Sequence, residues 1–233
     1  MEIYDKILSL VGASKKNFEP GAAELTKLSE WFNDLDPKLV NKITNSLTST
    51  VYQKGEFLFR EDLPGDGLYI IVEGNAIIRS GSEVLDIAGP GTVIGEIANL
   101  MNVPRTATVT ACEQVKALRL SSKSIAKLMK ESAGIGQRLW KIAGSRFVIN
   151  YLSKTSPYSK WEKERLKSWV EAGEVLFMKD EESLELVNLT GVLLSGEVFI
   201  TGRNNPIAAP AILFAPVVYV RRHAIIYTCK KSG

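Results

Sequence analysis

The stretch Val93-Ile94-Gly95-Glu96-Ile97-Ala98-Asn99-Leu100-Met101-Asn102-Val103-Pro104-Arg105-Thr106-Ala107-Thr108-Val109 interrupts an otherwise even succession of short apolar runs. Gly95 frees the backbone where the rhythm breaks. Gly95–Met101 then reads as a single helical turn whose Ile97 and Ala98 amides point outward. Amides at the start of such a turn form a ready anion site. Arg105 follows nine residues after Glu96 and adds a permanently charged fork matched to phosphate oxygens. Glu96 supplies an acceptor for a sugar hydroxyl. A cation, a nest of donors and a carboxylate in one segment suit a phosphorylated sugar.

Upstream of this stretch, apolar runs at Phe57–Phe59, Leu68–Val72, Ala76–Ile78 and Val84–Ile87 alternate with Lys54-Gly55, Pro64-Gly65-Asp66-Gly67, Glu73-Gly74-Asn75 and Gly89-Pro90-Gly91. Turn residues at short, even spacing predict an antiparallel β-roll. The strand rhythm resumes at Thr106–Cys112, which makes Cys112 a small core residue, and at Val115–Leu120. Helices flank the roll. Residues 22–50 carry Leu25, Leu28, Trp31 and Phe32, then Leu39, Val40, Ile43 and Leu47, at helical spacing, with Asp36-Pro37 as a cap. After the roll, Ile125, Leu128, Met129, Ile135, Leu139, Ile142, Phe147, Val148 and Leu152 restore the helical period, with a joint at Gly134. Thr155-Ser156-Pro157 marks a boundary, and residues 160–170 read as a charged helix with a solvated face.

Gly95-Glu96-Ile97-Ala98, the spacing to Pro104-Arg105, and Thr106-Ala107-Thr108-Val109 resemble the phosphate-binding cassette of the cyclic nucleotide-binding domain family. The likeness extends over roughly residues 25–153. It implies that Arg105 pairs with a cyclic phosphate, that Glu96 holds the ribose 2′-hydroxyl, and that Gly95, Ile97 and Ala98 add backbone contacts. In the family, a hydroxyl at the position of Thr106 can reach both phosphate and a syn guanine, which permits cGMP without excluding cAMP. Trp140 has two readings, an aromatic lid over the base or a packing residue of the helix after the roll. For the cassette itself, the alternative is a roll in which Glu96 and Arg105 simply pair with each other.

The C-terminal part echoes the first. Gly173-Glu174-Val175-Leu176-Phe177 repeats Gly55-Glu56-Phe57-Leu58-Phe59, and Ser195–Phe199 follows Glu73–Ile77. The cassette is not repeated, because aligning Phe214-Ala215-Pro216 with Ile94-Gly95-Glu96 puts proline in the carboxylate position and Ile225 where the arginine belongs. The expected class is therefore α+β, mainly β: a helical segment at 1–22, a nucleotide-binding β-roll with flanking helices at 23–155, and a degenerate β-roll-like domain at 156–233.

Composition sets outer limits. The chain has 233 residues, 45% hydrophobic and 24% charged, with a net charge of +3. That balance excludes a disordered chain and is too mild to imply nucleic-acid binding. Cys112 and Cys229 cannot build a disulfide framework or a zinc site, which points to a reducing, cytoplasmic compartment. His223 is the only histidine, so a multi-histidine metal site is excluded. Beside Arg221-Arg222 it reads as part of a charged edge strand. No catalytic constellation is visible, and the expectation is a non-enzyme that binds cAMP or cGMP without a metal and moves the helices at 124–153. Its layout looks like the cytosolic C-terminal region of sodium/proton exchangers bearing such domains, which places the effector, a transporter or channel portion, outside this chain. A regulatory subunit, a transcription-regulator-type sensor and a ligand-free interaction domain are the alternatives, and homodimerisation is left open.

Overall fold

In a computed structural model of the chain, residues 36–231 are described. The helices read at Leu25–Phe32 and the 1–22 segment lie outside that range. Two compact units divide the rest, the first ending at Gly134 and the second beginning at Ile135.

The first unit opens with α1 (Pro37–Thr44). Asp36 caps it by accepting a 2.7 Å hydrogen bond from the Lys38 amide, with Pro37 at the first helical position. Val40 and Ile43 form its buried face. The apolar spacing predicts helix as far as residue 50, but the helix stops at Thr44 and β1 (Leu47–Tyr52) follows. Thr48, Thr50 and Val51 are β-branched and favour the strand. The remaining strands are β2 (Phe57–Phe59), β3 (Gly67–Glu73), β4 (Ala76–Ser80), β5 (Glu83–Ala88), β6 (Val93–Ile94), β7 (Thr108–Ala111) and β8 (Val115–Ser121), with α2 (Glu96–Met101) between β6 and β7.

These strands form two four-stranded sheets, ordered β1-β8-β3-β6 and β2-β7-β4-β5. Every pairing within them is antiparallel. Tyr69, Ile71, Ala76, Ile94, Val109, Val115 and Ala117 meet in the core. The arrangement is the β-roll expected from the turn spacing. Cys112 is a correction: β7 ends at Ala111 and Cys112 is exposed, its amide already in the turn and bonded to the Asn75 carbonyl. From β8 the chain enters α3 (Ser122–Glu131), capped by Ser121, whose hydroxyl accepts from the Ser124 amide.

The joint before the next helix falls at Ser132, which is extended at φ −146°, ψ 111°. Gly134, read as the joint, lies inside α4 (Ala133–Ser153). Most of α4 thus belongs to the second unit rather than to the roll. A 3-10 turn at Tyr158–Lys160 and α5 (Lys163–Glu171) lead into β9 (Glu174–Met178), β10 (Ser183–Glu185), β11 (Leu189–Ile200), β12 (Ile207–Ala208), β13 (Ala211–Leu213) and β14 (Val217–Lys230). The long strands β11 and β14 pair along their length, and β9 and β10 flank β14 on its other edge. Leu186, Leu193, Val198, Val218, Val220 and Ile226 make this unit's own core. Lys141 on α4 donates to the carbonyls of Glu171 and Gly173 at the end of α5, a favourable place for a cation.

One detail gives the internal echo a physical form. Gly74 sits at φ +79° where a Cβ would lie 2.2 Å from the Gln114 carbonyl oxygen, and Gly196 sits at φ +90° where a Cβ would lie 2.3 Å from that of His223. Both occupy a left-handed kink pressed onto an opposing strand, which only glycine fills without strain. Among the described residues no helix is long and apolar enough to cross a membrane.

Candidate functional site

The site is built around α2 and Arg105. Gly95 precedes α2 at φ +80°, ψ 5°, a left-handed conformation that turns the chain sharply out of β6. Glu96, Ile97 and Ala98 form the first turn and are all buried. That turn's amides lack partners within the helix. Asn102 closes the helix, also left-handed, at φ 51°. The chain then returns so that Arg105 lies back against Gly95.

Arg105 is 2% exposed, and its guanidinium is held by protein acceptors. Nη1 donates to the Gly95 carbonyl at 2.7 Å, and Nη2 donates to the Gly67 carbonyl at 2.8 Å and to Asp66 Oδ1 at 2.7 Å. The guanidinium carbon lies 4.2 Å over the Phe59 ring and 5.9 Å from Tyr69, within range of cation–π attraction. Its backbone is clasped as well, with the Arg105 amide donating to the Leu63 carbonyl and the Asp62 amide donating to that of Arg105. Nε remains without a partner, the one such buried side-chain polar atom among the described residues. A buried donor left unmade is costly, so this fork has capacity for one more acceptor.

Asp66 places its carboxylate against Arg105. Asp66 bridges two arginines, because Arg119 Nη2 also donates to Asp66 Oδ2 at 2.8 Å and to its backbone carbonyl. Burial alone would push the Asp66 carboxyl up, but Arg119 and then Arg105 outweigh it and hold it below the usual carboxylate range. Burial likewise works against the charge on Arg119, and Asp66 overcomes it.

Asn99 ties the site together. Its Nδ2 donates to the Gly67 carbonyl at 2.7 Å and to the Gly95 carbonyl at 2.8 Å. Ser122 at the start of α3 donates its hydroxyl to Asn99 Oδ1 and its amide to the Asp66 carbonyl. Of the residues singled out in sequence, Gly95, Glu96, Ile97, Ala98 and Arg105 come together here. Thr106 is half-buried on the way to β7. Trp140 lies on α4 in the second unit at 4% exposure. Asp66, Asn99, Arg119 and Ser122 were missed. The Gly65-Asp66 turn was visible, but nothing local told that its carboxylate meets an arginine 39 residues away.

The second unit has no counterpart. Only Phe214, Ala215 and Pro216 separate β13 from β14, with no helical turn between them. His223 is exposed in β14, its Nδ1 2.7 Å from Asp180, and Arg221 lies 3.3 Å from Glu197. The expected edge strand is a correction, because β14 lies inside its sheet, paired with β11 on one side and with β9 and β10 on the other, and only its side chains here face solvent. No group of three or more His, Cys, Asp or Glu among the described residues could hold a metal ion.

Comparison with known proteins places the first unit. Residues 49–132 match the family model described as cyclic nucleotide-binding domain, and the two-sheet roll with α2 is that family's fold. Human cGMP-dependent protein kinase 2 is 27% identical over 105 residues, covering 45% of this chain and 14% of the kinase. The CRP-like cAMP-activated global transcriptional regulator of Mycobacterium tuberculosis is 28% identical over 120 residues, 49% of this chain and 54% of that protein. The chain thus spans about one seventh of the first relative and about half of the second. Among solved structures, the regulatory domain of Toxoplasma gondii PKA with cAMP is similar over 90% of this chain and 87% of that one, at 18% identity and a TM-score of 0.47.

Proposed function

We propose that the first unit is a cyclic nucleotide sensor, binding cAMP or cGMP through Arg105 and the first turn of α2. The observation that carries this is the state of Arg105: a fully buried guanidinium, fixed by three hydrogen bonds and retaining an unpartnered Nε, set against the buried Glu96 turn. A cyclic phosphate carries a single negative charge and acceptor oxygens on a rigid ring. It complements a fixed cation bonded to the Gly95 carbonyl at the start of α2. Glu96 then takes the ribose hydroxyl, and Thr106 stands where it can favour guanine.

The same hydrogen bonds favour a second reading. Asp66 already neutralises Arg105, so a roll that binds nothing and serves as an interaction domain is internally consistent. A thermal-shift and calorimetric comparison of cAMP, cGMP and AMP separates the two. Saturable binding of a cyclic nucleotide, lost in Arg105→Glu while that variant keeps the wild-type far-UV circular dichroism, supports the sensor. Unchanged affinity in Arg105→Glu, or no stabilisation by any nucleotide, refutes it. A true ligand at 100 times its dissociation constant adds about 2.7 kcal/mol.

In this reading the chain is regulatory rather than catalytic. It needs no metal, and a nucleic-acid partner is not assigned. Occupancy moves the helices that follow the roll, and the effector is a separate polypeptide or segment of the transporter or channel kind on the cytoplasmic side. Support for that effector is the tandem layout alone, an equipped β-roll followed by a β unit without a cassette. Neither relative named above is a sodium/proton exchanger, so the proposal is the broader one.

A further inference from the structure

Arg105 and Asn99 grip the same two atoms. The guanidinium donates to the carbonyl oxygens of Gly95 and Gly67 at 2.7 and 2.8 Å, and the Asn99 amide donates to the same pair at 2.8 and 2.7 Å. Each carbonyl oxygen has two lone pairs and accommodates both donors. We infer that Asn99 is a positioning residue that keeps these carbonyls satisfied when Arg105 turns its donors toward a phosphate. The inference rests on the proposed nucleotide binding, and it assigns Asn99 a role that Arg105 cannot supply for itself.

The chemistry runs as an exchange of acceptors. With the ligand absent, Arg105 spends its Nη donors on Gly95, Gly67 and Asp66. An incoming phosphate competes for those donors, and every carbonyl released inside the protein would cost the desolvation of a buried acceptor. Asn99 removes that cost at both carbonyls, because its Nδ2 is already in place. Ser122 makes the arrangement one-way: its hydroxyl donates to Asn99 Oδ1, so the amide oxygen faces Ser122 and both Nδ2 protons face the carbonyls. Ser122 itself is anchored by its amide to the Asp66 carbonyl and opens α3. The α3 helix therefore begins on the residue that orients Asn99.

Asn99→Leu keeps the side-chain shape and removes both donors, and Ser122→Ala removes the orienting hydroxyl. Calorimetric titration with cAMP and cGMP should find the Asn99→Leu variant about tenfold weaker, equal to about 1.4 kcal/mol. Ser122→Ala should be weaker by a smaller factor, and Ser122→Thr, which restores a hydroxyl, should recover wild-type affinity. Side-chain ¹⁵N spectra supply a readout that a purely structural residue would not move. On saturation the Asn99 Nδ2 protons should stay slow to exchange with solvent while the Arg105 Nη signals shift. Wild-type affinity in Asn99→Leu, or loss of Asn99 protection on saturation, overturns the inference. Should the wild-type protein bind neither nucleotide, the function reading fails separately. The nucleotide-free protein then still decides the sharing: with one donor removed, Asn99→Leu should slow Arg105 Nη exchange severalfold, and an unchanged rate overturns it.

Discussion

Replacing Gly95 by alanine tests the central contact of the site most directly. A Cβ built there lies 2.3 Å from Arg105 Nη1 and 3.2 Å from the Phe59 ring. A guanidinium 1% exposed and bonded to Asp66 and Gly67 has little room to retreat. It must give up its 2.7 Å bond to the Gly95 carbonyl, and a hydrogen bond from a charged donor is worth about 1.5–3 kcal/mol. The left-handed backbone at φ +80° adds about 1–2 kcal/mol for any L side chain. The two terms together predict a loss of about 2.5–5 kcal/mol, read as a lower urea midpoint at unchanged slope. Comparing Gly95→Ala with the pair Gly95→Ala/Arg105→Ala against Arg105→Ala separates them, since neighbours in contact do not add. In the Arg105→Ala background only the backbone cost of about 1–2 kcal/mol should remain. Equal costs in both backgrounds, or a cost below about 1 kcal/mol in the wild type, would refute the collision.

Two other outcomes follow from the charges and thiols. Because the Asp66 carboxyl titrates below its ordinary value of 3.8, its ion pairs contribute in full above about pH 4 and are lost as pH falls through the folded-state value. Asp66→Asn should therefore be less stable than wild type at pH 7, with the gap closing below about pH 4 in urea midpoints; a gap that does not change with pH contradicts the pairing. Burial pushes the Cys229 thiol up to about 12, offset only in part by Lys141, whereas Cys112 is exposed. Iodoacetamide at pH 8 should label Cys112 in the native protein and Cys229 only after denaturation, and peptide mass mapping that finds equal native labelling rules this out.

Much of the roll was readable because its turns are written in residues with one use. Gly55, Gly74 and Gly91 all adopt positive φ, and the apolar runs between such points became β2, β3, β4 and β5 nearly to the residue. Leu47–Tyr52 was harder. Its Leu47 continues the helical spacing of Leu39, Val40 and Ile43, and only pairing with β8 across the sheet makes it a strand. The break at Ser132 carries no helix-breaking residue, so Gly134 drew the boundary two residues late. Within the site, residues adjacent along the cassette were legible as a group. Asp66, Asn99 and Ser122 were not, since their roles depend on contacts between segments far apart in the chain.

The fourteen-residue β14 has a consequence for the second unit. Where the first unit interrupts its strands with a helical turn, β14 continues as one strand through three register shifts against β11, opposite Val220–Ile226. It bonds to β11 along one edge and to β10 and β9 along the other. Ala224–Thr228 lie between β9 on one side and β11 on the other, so their amides reach solvent only when one of those strands separates. The amides of Ala224–Thr228 should therefore be among the slowest in the second unit to trade hydrogen for deuterium, which makes this strand the part of its sheet that opens last.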